Sequence, residues 1–568
     1  LVAQFNLIGA PLGLTAKPFR GRSFEYNLDE PMCPLHEEAA VVAKSGGQVR
    51  KSLCLYKQAY CEHHPDNPKR PDNPCRYIMQ TKETATLWLL PHQYLFKTKP
   101  SGLPDPDLIV IDEAYWQPSL RGVGEAGPVT MTTSSLEASW VIRDRKGRDA
   151  IPDSIDLDLC KEQAIHALQN FPDGPLLKQA FIEAGLDAEK CREAATSEYL
   201  QKAPVMLTPG MAPAARRRAL GSWRDNGAMR FGRFWQLLGK LLAGEDEQSP
   251  HLTLERNARL PEGVGTGDVI HMRWSSDITA AYYAPTLILD ATLSKLVTRR
   301  FFPHISHVTR ISVEKPHQRI TQITDRAVSA SMVRPSESAS DRTNTTRRNN
   351  VKRIHCLLKV MARDARVRRA GLPDADGLES TVDVLCVGQK GVDTELVEIG
   401  EINGVRYEHF NNLRGVDRYG GVDSIVIVGR LRPGVSDIED IAMALFGRSV
   451  TRQKSTSPVT HMAGLRLTSG DVAPVQNEIL TDPLASEVLF QIREAELIQV
   501  IGRGRGVNRI ADNPLQVLLL TNVALPVTVD CVTTWGEVMG ERLTKTRDGN
   551  QALPNSPSEL TRCFPETF

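Results

Sequence analysis

The sequence lacks the marks of a membrane-spanning, secreted or strongly charged protein. No stretch of its 568 residues approaches the roughly 18–20 consecutive apolar residues of a membrane-spanning helix. The chain starts at Leu1 with neither an initiator methionine nor a signal peptide, and we interpret this as a cut end. The 69 Lys and Arg residues nearly balance the 68 Asp and Glu residues, for a formal net charge of +1. Any nucleic-acid binding must therefore use local basic patches.

Cysteine is sparse and unevenly placed. The first 75 residues hold four of the ten cysteines, namely Cys33, Cys54, Cys61 and Cys75. The other six are scattered, several within apolar runs, which is typical of small core residues. A disulfide framework is not expected in so long a chain without a signal peptide, so we expect a reducing, cytoplasmic setting.

A phosphate-binding loop of the form G-x-x-x-x-G-K-[ST] is also missing from the sequence. The pair Gly239-Lys240 is followed by Leu241 and lies within a helical pattern, so it does not qualify. The backbone amides and the lysine that such a loop offers to the β- and γ-phosphates are therefore not found in these residues.

What the sequence does contain is an alternation of short apolar runs and helical segments. This alternation predicts an α/β fold with parallel sheets. Strands are expected near 107–112, 286–290, 382–387, 405–409 and 424–428, and helices near 159–168, 230–242 and 351–368. The proline-rich segment 63–74 and the polar segment 333–350 are expected to be loops.

The first chemical signal is an apolar run that ends in two carboxylates. Residues Leu108–Ile111 favour a strand buried on both faces, and Asp112 and Glu113 follow it. This is the Walker B arrangement, in which the aspartate holds Mg²⁺ and the glutamate orients the water that attacks the γ-phosphate of ATP. The alternative is a strand followed by a solvated acidic turn.

The second signal is a run of arginines among glycines at 499–509. Glycine lets the backbone approach a phosphate, and arginine binds phosphate oxygens with its forked guanidinium. The alternative is a basic surface loop.

Taken in order, these segments resemble the motifs of superfamily 2 helicases. IDEAY at 111–115 looks like a DEAH-box Walker B with Tyr115 in place of histidine, and LDATL at 289–293 is similar to motif III. LCVGQKG at 385–391 resembles motif IV, and 409–430 resembles motif V, with Gly415 and Asp417 matching its G-x-D. The segment 499–509 looks like motif VI, which gives Gln499, Gly502, Arg503, Arg505 and Arg509 as site candidates. The spacing of these arginines departs from the usual Arg-x-x-Arg, so the identity of the arginine finger stays open.

The cysteines narrow the resemblance to iron–sulphur helicases of the XPD/DinG type, and most to the helicase module of plasmid and prophage primase–helicase proteins. The stretches RGR at 20–22 and MC at 32–33 also resemble that helicase module. The resemblance implies a [4Fe–4S] cluster on Cys33, Cys54, Cys61 and Cys75. Zn²⁺ on the same cysteines, with His63 or His64 as a substitute ligand, is the runner-up, and four unrelated cysteines are the third possibility.

The resemblance also implies a domain plan. A first RecA-like domain would occupy 1–119 and 276–302, with a cysteine-cluster subdomain near 30–80 and a mainly helical insertion at 120–275. A second RecA-like domain would occupy 303–540, followed by a tail at 541–568. Its phosphate-binding loop would precede Leu1, so we expect the chain by itself to be inactive.

The implied activity is ATP-dependent, Mg²⁺-dependent translocation on single-stranded or fork DNA during replication, with a primase domain or primase as a partner. Two rivals remain: a nucleic-acid-binding scaffold without catalysis, and a zinc-dependent binding module joined to an unrelated ATPase. Two basic runs, Arg216–Arg218 and the set Arg342, Arg347, Arg348, Lys352 and Arg353, are more typical of solvated faces than of a nucleic-acid surface.

Overall fold

The structure is a computed structural model that describes residues 2–27, 30–69, 71–137, 154–260, 265–369, 382–413, 415–416 and 418–544. It divides into two compact units. The first comprises Leu1–Asp290, Arg299–Pro303 and Asp440–Val450, and the second comprises Ala291–Thr298, His304–Glu439 and Thr451–Phe568. The chain thus passes between the units after Asp290, after Thr298 and after Pro303, and the first unit also takes in Asp440–Val450.

The first unit contains mostly short strands. They are β1 Ala16–Pro18, β2 Glu25–Asn27, β3 Glu30–Pro31, β4 Leu55–Tyr56, β5 Ala59–Tyr60, β6 Leu87–Leu89, β7 Ile109–Asp112, β8 Leu120–Arg121, β9 Val129–Thr132, β10 Gly174–Leu177, β11 Gln248–Arg259, β12 Thr266–Met272, β13 Trp274–Ser275 and β14 Thr286–Leu289. Its helices are α1 Val2–Gly9, α2 His36–Lys44, α3 Arg76–Gln80, α4 Ser134–Glu137, α5 Ser154–Leu168, α6 Lys178–Glu183, α7 Ala188–Leu200, α8 Pro213–Ser222 and α9 Ala228–Ala243.

The predicted helical insertion at 120–275 contains a sheet as well as helices. Helices α4 to α9 lie in this part of the chain, together with a four-stranded antiparallel sheet of order β10-β11-β12-β9. Helix α9 packs its apolar side, including Phe234 and Trp235, into the same core as Leu252 and Leu254 of β11. Helices and sheet therefore share one hydrophobic core. The sheet was not predicted from the sequence.

Strands β7 and β14 form a parallel pair, with Asp112 opposite Leu289. The expected strand is present, but it is not buried on both faces. Ile109, Ile111 and Ile288 face a core, whereas the side chains of Val110 and Leu287 are about half exposed. A parallel pair with one bare apolar face is unusual, because parallel strands are normally covered on both sides.

The second unit is built on a six-stranded sheet whose paired strands are all parallel, so the α/β class with parallel sheets is confirmed. The sheet has the order β17-β16-β18-β21-β15-β22. Its strands are β15 Gln318–Ile323, β16 Val384–Gly388, β17 Val405–His409, β18 Ser424–Val428, β21 Leu515–Leu520 and β22 Cys531–Thr533, and an antiparallel hairpin is formed by β19 Val459–Arg466 and β20 Val472–Ile479. The central strands β16 and β18 are buried along their whole length, as their apolar sequences predict.

Helices cover both faces of this sheet, since separate apolar clusters lie on its two sides. They are α11 Ala330–Val333, α12 Asp341–Arg369, α13 Val392–Ile399, α15 Pro483–Gly502 and α16 Trp535–Thr544, while the boundary between the units falls within α10 Lys295–Phe301 and α14 Val435–Phe446. Helix α15 begins with Asp482, whose side chain accepts hydrogen bonds from the N–H groups of Leu484 and Ala485, and with Pro483 in its first turn.

One expectation for this unit is wrong, and another concerns residues that the structure does not describe. The segment 333–350 is not wholly a loop, because α12 starts at Asp341, ten residues earlier than expected. The polar side chains of its first turns point to solvent and gave no apolar periodicity. Of the expected tail, residues 545–568 lie outside the described part of the chain. No helix in the described ranges is long and apolar enough to cross a membrane.

Candidate functional site

Four cysteines from separate segments of the first unit line one cavity. They are Cys33, Cys54, Cys61 and Cys75, all buried, around a small cavity of about 10 Å³. Cys54 ends a helical turn and Cys61 follows the hairpin β4–β5, whereas Cys75 directly precedes α3. The thiols that the sequence singled out are therefore brought together, although 42 residues separate Cys33 from Cys75.

Backbone hydrogen bonds around the hairpin and the proline-rich loop hold the cysteines in place. The N–H of Cys61 donates to the carbonyl of Cys54 (2.9 Å), which closes the hairpin. The N–H of Cys75 donates to the carbonyl of His63 (2.7 Å), so the two ends of the loop meet. The described residues of 63–74 form neither helix nor strand, as expected, and their conformation places Cys61 and Cys75 at the same cavity.

Among the residues that the structure describes, Arg22 is the arginine that lines this cavity. Its Nη1 donates to Cys33 Sγ at 3.5 Å, and its guanidinium carbon lies 4.0 Å from the ring centroid of Tyr77. The N–H of Cys33 donates to the carbonyl of Arg22 at 2.9 Å, so backbone and side chain both tie the two residues together. A guanidinium beside a sulfur atom stabilises negative charge on it, as a bound thiolate requires.

The thiols differ in acidity because they interact. A hydrogen bond from Cys75, followed by the positive charge of Arg22, lowers the pKa of Cys33. The same hydrogen bond raises the pKa of Cys75, which keeps its proton. Burial raises the pKa of Cys54, and it raises the pKa of Cys61 to about 11. Cys33 is therefore the more acidic thiol of the pair and Cys75 the less acidic.

The histidines near the cavity have other partners. His63 lines the cavity, but its Nδ1 lies 3.1 Å from the carbonyl oxygen of Asn73 and its Nε2 lies 3.7 Å from Glu62. His64 Nδ1 accepts a hydrogen bond from the N–H of Asp66 at 3.1 Å. The available donor set is thus four thiols. Over the described ranges, no three His, Cys, Asp or Glu side chains are gathered closely enough to hold a metal ion.

A buried arginine joins the cysteine segment to the insertion. Arg216, in α8, donates to Glu62 at 2.6 Å, and its Nε lies 3.9 Å from Glu38. Its side chain is only 7% exposed. Arg216 therefore does not belong to a solvated basic run with Arg217 and Arg218, which are exposed. The sequence alone does not predict this difference, because the three arginines are consecutive and of the same type.

Asp112 is the last residue of strand β7, and Glu113 follows it directly. Asp112 is exposed and Glu113 is partly buried. Glu113 has a φ of +63°, a left-handed conformation that is uncommon for this residue type, and its N–H donates to the carbonyl of Leu289 at 2.8 Å. Such outliers persist only where the surrounding structure enforces them, and they cluster at functional sites. Tyr115 is 2% exposed and packs edge-on against Phe301 and Phe302, which anchors the turn.

The arginine–glycine segment lies at the amino edge of the six-stranded sheet, between α15 and β21. Two of its glycines are required by close packing: a Cβ on Gly504 would lie 2.6 Å from Leu515, and a Cβ on Gly506 would lie 2.1 Å from Gln318. Gly502 ends α15 and makes no such approach. These glycines allow the loop to lie against the ends of the strands.

The three candidate arginines have different surroundings. Arg509 is buried, and its guanidinium donates to the carbonyls of Gly420, Val422 and Gly504 at 2.6–3.0 Å. Arg505 is exposed and has a left-handed backbone, with φ +51°, whereas Arg503 is partly buried. Arg509 therefore clamps the motif V-like and motif VI-like segments together, and the prediction that it contacts a nucleotide is not supported by its surroundings.

Two buried glutamates fix the motif V-like loop between β17 and β18. Glu408 accepts hydrogen bonds from Asn412 (2.6 Å), Arg418 (2.9 Å) and Tyr419. Glu496 of α15 accepts one from the N–H of Asn411 at 2.6 Å. Neither residue was predicted from the sequence, because both stand among other polar residues in β17 and α15.

The remaining site candidates lie in the second unit or among residues that the structure does not describe. Gly415 has a φ of +71°, which favours glycine, and Asp417 lies outside the described residues. Gln499 is partly buried, one turn before the end of α15. Asp112 and Glu113 belong to the first unit and Gln499, Arg503 and Arg505 to the second, so their action on one nucleotide stays a prediction.

Comparison with known proteins finds no family model that matches this chain, and no curated protein matches it either.

The clamp formed by Arg509 yields a stability prediction. We expect Arg509→Ala to lower the free energy of unfolding of the second unit by about 3 kcal/mol, because three buried carbonyls lose charged donors. Arg505→Ala, on the exposed side of the same loop, should change it by less than about 1 kcal/mol. Urea unfolding of both variants measures this difference, and equal losses would show that Arg509 is not a clamp.

Proposed function

We propose that the protein is an ATP-dependent DNA helicase or translocase of the iron–sulphur type. The observation that carries this proposal is the meeting of four sequence-distant cysteines at one buried cavity, in the same unit as the strand that ends in Asp112 and Glu113. Each feature alone has an ordinary structural explanation. Their combination in one unit, in the order that such helicases have, favours this function.

The residues of the first unit would act on the nucleotide in distinct ways. Asp112, exposed at the end of its strand, is suited to hold Mg²⁺, directly or through water. Glu113 is suited to orient the attacking water and accept its proton. Its left-handed backbone sets the direction of its side chain relative to that of Asp112. Val110 and Leu287 are about half exposed, so one face of β7 and β14 could be covered by helices, as in parallel sheets generally.

The second unit would supply positive charge to the γ-phosphate. Arg505 is exposed and Arg503 partly buried, so they are the two arginine-finger candidates, whereas Arg509 is held by backbone carbonyls. The strained backbone at Arg505 makes it our first choice. Both units would then be RecA-like domains that act on one nucleotide, and ATP hydrolysis would drive movement along single-stranded DNA.

We take a [4Fe–4S] cluster as the ligand of the four thiols, because the order of the motifs resembles that of iron–sulphur helicases, and zinc stays the runner-up. Over the described residues no three His, Cys, Asp or Glu side chains are close enough to hold a metal ion, so the choice between the two ligands rests on the order of the motifs. Arg22 beside Cys33 would offset the negative charge of the thiolates. The bound cluster would supply covalent links between distant segments, and its role would be structural.

A non-catalytic nucleic-acid-binding scaffold is the second candidate. It is favoured by one observation, the absence of a G-x-x-x-x-G-K-[ST] segment from residues 1–568. Such a protein would keep the metal site without hydrolysing ATP.

Metal content tests the cysteine assignment. We expect Cys33→Ser, Cys54→Ser, Cys61→Ser and Cys75→Ser each to lose most of the iron and acid-labile sulfide of the anaerobically purified protein, because each removes a ligand. Cys356→Ser, on α12 in the second unit, is the matched control and should retain both. Equal metal content in all five variants would contradict the assignment. Loss of zinc in place of iron would favour the runner-up ligand.

Steady-state ATP hydrolysis with single-stranded DNA tests catalysis. We expect residues 1–568 alone to be inactive and a chain that includes a phosphate-binding loop ahead of Leu1 to hydrolyse ATP. In that longer chain, Glu113→Gln should lower the turnover number at least about 100-fold while nucleotide binding persists, because the base is lost and the Mg²⁺ ligand is kept. Glu125→Gln, an exposed carboxylate of the same unit, is the control.

Two outcomes would contradict this account of catalysis. Robust hydrolysis by residues 1–568 would mean that the nucleotide site lies elsewhere. A longer chain as inactive as its Glu113→Gln variant would favour the scaffold.

A further inference from the structure

Helix α12 carries a row of exposed cations along one side, which we call the basic stripe. At 100° per residue, its members fall within about 140° of the helix circumference. They are Arg342, Arg348, Lys352, Arg353, Lys359, Arg363 and Arg366, all exposed. From the first to the last the stripe is about 36 Å long at 1.5 Å per residue.

The opposite side of α12 fixes the orientation of the stripe. Ile354, Leu358 and Met361 are buried in the core on one face of the six-stranded sheet. The Nε2 of His355 lies 2.8 Å from the carbonyl oxygen of Gly400. The stripe is therefore presented by a rigid helix, so binding would cost little conformational entropy of the backbone.

Most of the stripe is not neutralised. Within the described part of the chain, Arg342, Arg348, Lys352, Arg353 and Lys359 form no ion pair, whereas Arg363 pairs with Asp364 at 3.6 Å and Arg366 with Asp383 at 3.8 Å. Helix α12 itself contains only two acidic residues, Asp341 and Asp364. The net charge of the whole chain is only +1, so this concentration of unpaired cations is a feature of α12 and not of the chain as a whole. It is therefore a candidate surface for a polyanion.

The composition of α12 favours backbone contact over base stacking. The helix contains no Phe, Trp or Tyr, the side chains on which single-stranded bases stack. Its cations can bind phosphates, and in a duplex the bases are already stacked on each other. The length of the stripe also matches about one turn of B-DNA, which is roughly 34–36 Å.

We propose that the basic stripe binds the phosphate backbone of duplex DNA, without sequence preference and without a need for ATP. The choice of nucleic acid as the polyanion rests on the proposed function, and the stripe extends that function by giving the duplex ahead of the unwound strand a place on the second unit. Phosphate neutralisation by lysine and arginine would supply the affinity, and this affinity would fall steeply with salt.

Salt-dependent binding of a blunt 20-base-pair duplex tests the proposal. The variant is the triple substitution Arg348→Gln, Lys352→Gln and Arg353→Gln, and fluorescence anisotropy is measured over a series of KCl concentrations without nucleotide. Removing three phosphate contacts should reduce the slope of log K against log [KCl] by about 2.7, at about 0.9 per contact, and weaken binding at least about tenfold at low salt. Binding to single-stranded dT20 should weaken less.

The control triple carries the same charge change elsewhere on the second unit. Arg310, Lys454 and Arg466 are exposed. Their substitution by Gln should change the slope of log K against log [KCl] by less than about 0.9, which is the contribution of one phosphate contact. The thermal midpoints of both triples should equal that of the parent chain, because all six side chains lie on the surface.

Three results would overturn the proposal: no duplex binding by the parent chain, an equal loss in both triples, or a loss on dT20 as large as on the duplex. Because the duplex-binding measurement needs neither ATP nor metal, its result does not depend on the results of the ATPase and iron measurements. An inactive enzyme whose stripe binds duplex DNA would contradict the proposed catalysis alone.

Discussion

The burial of four thiols around one cavity is the constraint on which the cysteine segment depends. Four of the ten buried residues in its apolar cluster are cysteines, and its strands are only two or three residues long. So small a core rarely stabilises a fold without a staple. Two residues of that cluster, Val205 and Leu207, come from the insertion, and Arg216 adds an ion pair to Glu62. A ligand held by the cysteines would therefore stabilise the contact between this segment and the insertion as well.

In the second unit, irregular loops are held against both ends of the strands of the parallel sheet. Buried charges do this: Glu408 and Glu496 accept hydrogen bonds from the loop after β17, and Arg509 donates to the carbonyls that precede β18. Because each buried charge is paired or hydrogen-bonded, its desolvation is offset. The exposed Arg505 next to this clamp is then presented by a fixed backbone.

Local pattern predicted much of this fold, and long-range packing explains what it missed. Strand 424–428 coincides with β18, because its apolar run is buried in a parallel sheet. Strand 405–409 coincides with β17, an edge strand of mixed polarity. The antiparallel sheet of the insertion was missed, since β11 contains a proline and many polar residues. Likewise, no local signal distinguishes the buried Arg216 or Arg509 from exposed neighbours of the same type. The convergence of the cysteines could be expected only through resemblance, because their spacing is too irregular to specify a site.

The central claim is that the four cysteines share one metal cluster, and anomalous diffraction tests it most directly. Crystals of the anaerobically purified protein would be measured at the iron absorption edge and again below it. The account predicts one strong iron peak enclosed by the Sγ atoms of Cys33, Cys54, Cys61 and Cys75. Four ordered thiols with no anomalous peak at the iron edge, or a disulfide between Cys33 and Cys75, would contradict it.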